Sequence, residues 1–229
     1  MVNGITKKQK TVLERAEALL REARTDADFA EAMRARGYDE AGWSQLEGLI
    51  GQLKTAARSR EEAKSIQYGA TNIFNHQLDL TWEHGKALAD NCITEFQGYT
   101  DWLQALGLHR RRRGENGESW IIRLQKHSPL NEVVTFLRHL YDVAQHHEEI
   151  AAILATKGFP GDILAAGAAE VEALVAADQA QEAAKAEVMR WREGRDEVFV
   201  ALRKWYDCAK RAATLARKQM RRNRVMVQV

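Results

Sequence analysis

Arg36-Gly37-Tyr38 and Lys157-Gly158-Phe159 are one three-residue turn written twice, a base, a glycine and an aromatic ring, set 121 residues apart. The same frame carries Val12 onto Val133, Leu13 onto Val134, Leu19 onto Leu140, Ala23 onto Ala144, Phe29 onto Ile150 and Met33 onto Leu154. Downstream of the turn Ile50 meets Val171 and Leu53 meets Leu174, and Glu61, Ala63 and Lys64 meet Glu182, Ala184 and Lys185. Any two amphipathic helices slide into apolar register. A turn and a Glu-x-Ala-Lys segment held in one ungapped frame with them is the stronger sign, and the chain reads as a tandem duplication.

Each repeat reads as helix, turn, longer helix. Thr6-Lys7-Lys8-Gln9 has the form of a capping box, and it opens a helix with apolar residues at three- and four-residue steps. That helix is expected to end at Gly37, where positive φ costs a glycine little. Asp39 is placed to cap the next helix, which runs through Trp43 and Leu53 and is expected to continue to about Leu106. Its glycines, Gly48, Gly51, Gly69, Gly85 and Gly98, each weaken it by about 1 kcal/mol relative to Ala, so a kink or break is expected at one of them. In the second repeat Ser128-Pro129 is the start signal, hydroxyl cap before a proline. Gly158-Phe159-Pro160-Gly161 is the turn, and a long helix follows from Asp162 to Arg222. A helix of that length spans roughly 90 Å, so the two long helices are expected to pack on each other, with the shorter ones covering their opening halves.

His109 to Arg123 is the segment that does not read as helix. Asn116-Gly117 is a strong signal for a two-residue hairpin turn, and Trp120-Ile121-Ile122 favours strand. A short β-hairpin is the reading, with a solvated basic loop as its rival. The expected fold is therefore all-α: an elongated bundle of two tandem helical hairpins, residues 1–107 and 128–229, joined by a linker at 108–127.

The composition agrees. Charged residues make up 29% of the 229, and there are only two prolines, Pro129 and Pro160, as in long helices and coiled coils. The 34 bases and 32 acids leave a formal charge of +2, which demands no partner by itself. Cys92 and Cys208 are isolated in helical patterns and read as reduced thiols. No stretch approaches a membrane span or a secretory leader, and the cytoplasm is the default compartment.

Chemistry-bearing groups are sparse. His139, Asp142 and His146 share one helical face, and His76, Asp79 and Glu83 repeat that spacing. Helical bundles build metal centres in this way, but neither set has a known ligand spacing, and solvated faces are the plainer account. Asp26 and His147 fall at equivalent points on an apolar heptad line. They suggest either a polar layer within a seam or residues at its edge. No phosphate loop, dinucleotide fingerprint or nucleophile elbow occurs, so no catalytic residue, metal ligand or cofactor is expected.

Two basic clusters remain. Arg110, Arg111, Arg112 and Arg113 form a run that Glu115 and Glu118 alone cannot neutralise, so it is expected to be exposed. The C-terminal helix carries Lys204, Lys210, Arg211, Arg217, Lys218, Arg221, Arg222 and Arg224 against one acid, Asp207. Both clusters suit phosphate. Val225, Val227 and Val229 alternate as in a strand, and with Trp120 and Ile122 they form a candidate assembly edge. The leading expectation is a non-enzymatic structural protein, a homo-oligomer formed through long helices and a C-terminal strand. An accessory protein binding nucleic acid or an anionic surface through its arginines is the first alternative, and a metal-binding bundle enzyme the second.

Overall fold

In the computed structural model, which describes residues 4–112 and 118–227, helix α1 spans Lys7–Thr25, α2 Ala27–Arg34, α3 Glu40–Glu95 and α4 Thr100–Ala105. Strands β1 (His109–Arg112) and β2 (Glu118–Ile121) follow, then α5 (Leu130–His146), α6 (Glu148–Thr156) and α7 (Gly161–Val227). The protein is an all-α helical bundle with one small antiparallel hairpin.

The duplication is visible in the backbone. Each repeat breaks its first helix at the same place, at Asp26 (φ −115°, ψ 105°) and at His147 (φ −82°, ψ 106°). Hydrogen bonds around both breaks keep the common frame: Asp26 N donates to Glu22 O and His147 N to Val143 O, while Ala30 N donates to Asp26 O and Ala151 N to His147 O. At the turns Tyr38 N donates to Met33 O (3.1 Å) and Phe159 N to Leu154 O (3.0 Å). These bonds span the glycines at φ +86° and +89°, so both helices close on a left-handed residue that satisfies orphan carbonyls. The long helices then start at Glu40 and Gly161, still in frame. Thr6 and Gln9 make the expected capping box (Gln9 N to Thr6 Oγ1 3.2 Å, Thr6 N to Gln9 Oε1 2.8 Å), and Asp39 accepts from Gly42 N.

Several local expectations fail for identifiable reasons. The first helix of each repeat is not continuous to its glycine. Asp26 turns its short carboxylate onto Phe29 N (3.0 Å) and caps α2, the competition with helical bonding that Asp, Asn, Ser and Thr all offer. Ser128 does not cap α5; its hydroxyl accepts from Gln125 N instead, and Pro129 takes the cap position without a side-chain bond. Helix α3 passes through Gly48, Gly51, Gly69 and Gly85 and stops at Glu95, short of Leu106, so the expected break falls at Gly98, in the turn at 96–98 that precedes α4. Packing on both sides of a glycine outweighs its cost of about 1 kcal/mol.

Compact units do not follow the division into 1–107 and 128–229. Contacts gather Met1–Gln67 with Ala184–Val229 into what we call the terminal unit, and Tyr68–Ala183 into the central unit. The reason is the reach of α3 and α7. Each long helix gives its opening half to one unit and its closing half to the other. The terminal core holds Leu13, Leu19, Phe29, Met33, Trp43, Leu46 and Leu53 from the first repeat with Leu202, Tyr206, Ala209 and Ala213 from α7. The central core holds the counterparts Val134, Leu140, Ile150, Leu154, Leu164 and Leu174 with Leu88 and Cys92 from α3. Leu88 and Cys92 are themselves the in-frame counterparts of Ala209 and Ala213.

Two exchanges of volume keep both cores filled. Leu20 and Leu46 in the terminal core become Tyr141 and Gly167 in the central one, and a Cβ on Gly167 would lie 2.3 Å from the Tyr141 ring. Ala16 and Tyr206 become Leu137 and Gly85, where a Cβ on Gly85 would again meet a side-chain carbon, Leu137 Cδ2, at 2.3 Å. Close packing tolerates a large residue only where its neighbour shrinks.

The hairpin is present, with a different register from the expected one. His109 pairs with Ile121 and Arg112 with Glu118, which leaves five residues between the strands, whereas a turn on Asn116-Gly117 leaves two. Those five, Arg113 among them, lie outside the described residues. The C-terminal strand is not formed as far as Val227. Val225 and Val227 continue α7, because a helix supplies its own hydrogen bonds and a lone strand needs a partner edge; Val229 lies outside the described residues.

The two cysteines differ sharply. Cys92 is fully buried and burial pushes its thiol up to about 12, whereas Cys208 is exposed. Since the thiolate is the reactive form, iodoacetamide at pH 8 is expected to label Cys208 in the native protein and Cys92 only in denaturant. Mass spectrometry of the labelled peptides checks this, and equal native labelling would contradict the burial.

Candidate functional site

The last third of α7 separates two faces cleanly. Leu202, Tyr206, Ala209, Ala213 and Ala216 are buried in the terminal core. At 100° per residue the bases from Arg203 to Arg222 fall on the opposite side, within an arc of about 140°, and all are exposed. Two of them have carboxylate partners. Arg217 donates to Glu22, through Nε at 2.8 Å, and stands over the Phe29 ring at 5.3 Å. Arg203 lies 3.6 Å from Asp207, the last acid in the chain. Lys204, Lys210, Arg211, Lys218, Arg221 and Arg222 have no carboxylate within ion-pair distance among the described residues. Like charges so close repel one another, and water screens them only in part at moderate salt.

This imbalance belongs to a wider one. The terminal unit counts 25 Lys and Arg against 16 Asp and Glu, formally +9. The central unit counts 9 against 16, formally −7. The near-neutral total conceals two units of opposite sign.

In the central unit many acids already have partners: Glu170 with His84 (2.8 Å), Glu172 with Arg138 (2.6 Å), Glu95 with Lys157 (2.8 Å) and Asp79 with Lys126. Arg138 holds the Glu172 carboxyl below its ordinary range through that hydrogen bond. Asp101, Glu148 and Glu149 carry no such partner among the described residues and are exposed. They flank an aromatic contact. Trp102 meets the His147 ring edge-on at 5.7 Å and stacks on Tyr99 at 4.3 Å, and Tyr99 is 52% exposed. His147 Nδ1 is buried without a hydrogen-bond partner. Asp26 and His147 are both half-buried at helix breaks, Asp26 capping α2 and His147 packed on Trp102.

The other sequence candidates are placed as follows. Arg217, Arg221 and Arg222 lie on the basic face, Arg217 already paired. Arg110, Arg111 and Arg112 form β1. Trp120 and Ile122 are half-buried against the central core, so the chain itself uses their apolar surface. His146 Nδ1 lies 3.0 Å from Asp142 Oδ1 in an open groove shared with His139, but no group of three His, Cys, Asp or Glu could hold a metal among the described residues. No single helix there is long and apolar enough to cross a membrane. In the sequence Glu148 and Glu149 stand out only beside His146 and His147, as a histidine-carboxylate cluster, and Asp101 does not stand out, because first-turn acids are ordinary complements to a helix dipole. The signal that finds them is the excess of acids across 68–183. No family model matches the chain, and neither a curated protein nor a solved structure does.

Proposed function

We propose that the protein is a non-enzymatic assembly module that associates with copies of itself. The observation that carries this reading is the opposite charge of its two compact units, +9 and −7. Two copies placed terminal unit against central unit gain attraction at long range, while like units repel. Such a contact is heterologous: one copy's terminal unit stays free and so does the other's central unit, and the arrangement extends until it closes into a ring or continues as a filament. A near-zero total charge removes the global repulsion that keeps strongly charged proteins apart.

Sedimentation velocity at two protein concentrations and two salt concentrations tests this. Screening shortens from about 8 Å at physiological salt to about 3 Å at 1 M. Species heavier than the 26.0 kDa chain are expected at low salt, growing with concentration and dissolving at high salt. A single monomeric species throughout would overturn the reading.

A further inference from the structure

Resting on that reading, we infer that the basic face of α7 is the docking surface, and that its occupant is the central unit of a second copy, at the acidic-aromatic patch around Tyr99, Trp102 and His147. Six bases on one helix face, without carboxylate partners among the described residues, suit a multivalent anionic partner. Three kinds of occupant have that chemistry, and the molecule discriminates among them. An anionic membrane surface cannot take α7 as an inserted interfacial helix, because its apolar side is buried in the terminal core, and binding by charge alone would leave the acidic central unit unsatisfied. A nucleic acid would be drawn to the terminal unit and repelled by the central one, because it is anionic along its whole length. A second copy satisfies both units at once.

The patch suits guanidinium and ammonium groups in two ways. Asp101, Glu148 and Glu149 offer carboxylates without intramolecular partners among the described residues. The exposed Tyr99, stacked on Trp102, offers a ring face of the kind that attracts cations. The chain already uses this contact on itself, with Arg217 over Phe29 and Arg190 over Trp191. Charge reversal on one side removes the attraction, and reversal on the other side of a partner restores it.

Two full-length variants test the docking. One carries Lys210→Glu, Arg211→Glu and Lys218→Glu; the other carries Asp101→Lys, Glu148→Lys and Glu149→Lys. All six positions are exposed, and circular dichroism verifies that each variant keeps its helices. Each alone is expected to associate at least about tenfold more weakly than the parent chain, and an equimolar mixture to regain association. A parent chain that assembles while the first variant assembles equally well overturns the docking surface and leaves self-assembly standing. A parent chain that stays monomeric overturns the assembly reading itself. If that monomer binds a fluorescent 20-base-pair DNA duplex and the first variant does not, the occupant is nucleic acid and the inference fails for that reason.

Discussion

Gly167→Leu is expected to lower the free energy of unfolding by about 2–3 kcal/mol, the scale of overpacking in a filled core. The Tyr141 ring occupies the space: a Cβ at 167 would meet its Cε1, Cζ and hydroxyl at 2.3, 2.4 and 2.6 Å. Those last atoms belong to a side chain 3% exposed, so the ring has nowhere open to go. Tyr141→Leu alone is expected to cost about 1–3 kcal/mol by leaving a void. The double variant recreates the Leu20–Leu46 combination of the other repeat, and it should lie closer to the parent than the sum of the singles. Urea unfolding of all four proteins gives the coupling, for which about 1–3 kcal/mol is expected. Strict additivity would mean that the two positions do not share one volume.

Arg195→Ala is expected to cost about 2–3 kcal/mol, read as a fall in the urea midpoint. Arg195 is 5% exposed, and its guanidinium joins two parts of the terminal unit. Nη1 donates to Gly4 O at 2.7 Å, while Nε and Nη2 donate to Asp196 Oδ1 at 3.0 and 2.6 Å. Asp196 also accepts from Gln9 Nε2 at 3.0 Å, which ties the capping box of α1 to α7. Removing a charged partner from a buried pair costs about 3–5 kcal/mol where the survivor stays dry. The Asp196 side chain is 47% exposed and regains water, so a smaller loss is expected. Freed from Arg195, the chain around Gly4 should also be cut faster by trypsin at Lys7 and Lys8. An unchanged midpoint and an unchanged rate of cleavage would together refute the anchor. The in-frame counterpart of Arg195 is Phe74, which packs against the central core, so equivalent positions of the two repeats hold a buried cation and an aromatic ring.

What the sequence disclosed and what it hid follow from the range of each interaction. The repeat was legible because its marks are local: Gly37 and Gly158 are needed for positive φ, and the apolar steps around them follow the helix period. The breaks at Asp26 and His147 were not, since both positions continue an apolar heptad line and only the backbone shows that the line is interrupted. Unit boundaries were hidden by distance along the chain, because Leu53 and Leu202 meet in one core from places far apart in sequence. The charge division was hidden for the same reason. The C-terminal arginines add to the lysines and arginines of residues 7–64 only after folding, and the whole-chain total of +2 cancels what the fold separates. The basic face of α7 was legible as a period, and the acidic patch only in part, as Glu148 and Glu149 beside His146 and His147, because Asp101 joins them only in the fold.

The division of α3 and α7 between the units also sets an order of synthesis. The central unit, Tyr68–Ala183, is one uninterrupted stretch, so all of its core has emerged from the ribosome once α7 has passed its first few turns. The terminal unit begins earlier in the chain but has to wait for Ala184–Val229 to close over it. During that interval Leu13, Phe29, Trp43 and Leu53 lack the α7 residues Leu202, Tyr206 and Ala209 that complete their core. Incomplete cores with exposed apolar surface are where nascent chains aggregate or exchange segments with a neighbour. Residues 7–64 are therefore translated before the central unit, yet their core is completed after it. A neighbouring chain whose own Ala184–Val229 segment is free is a competing source of the missing piece.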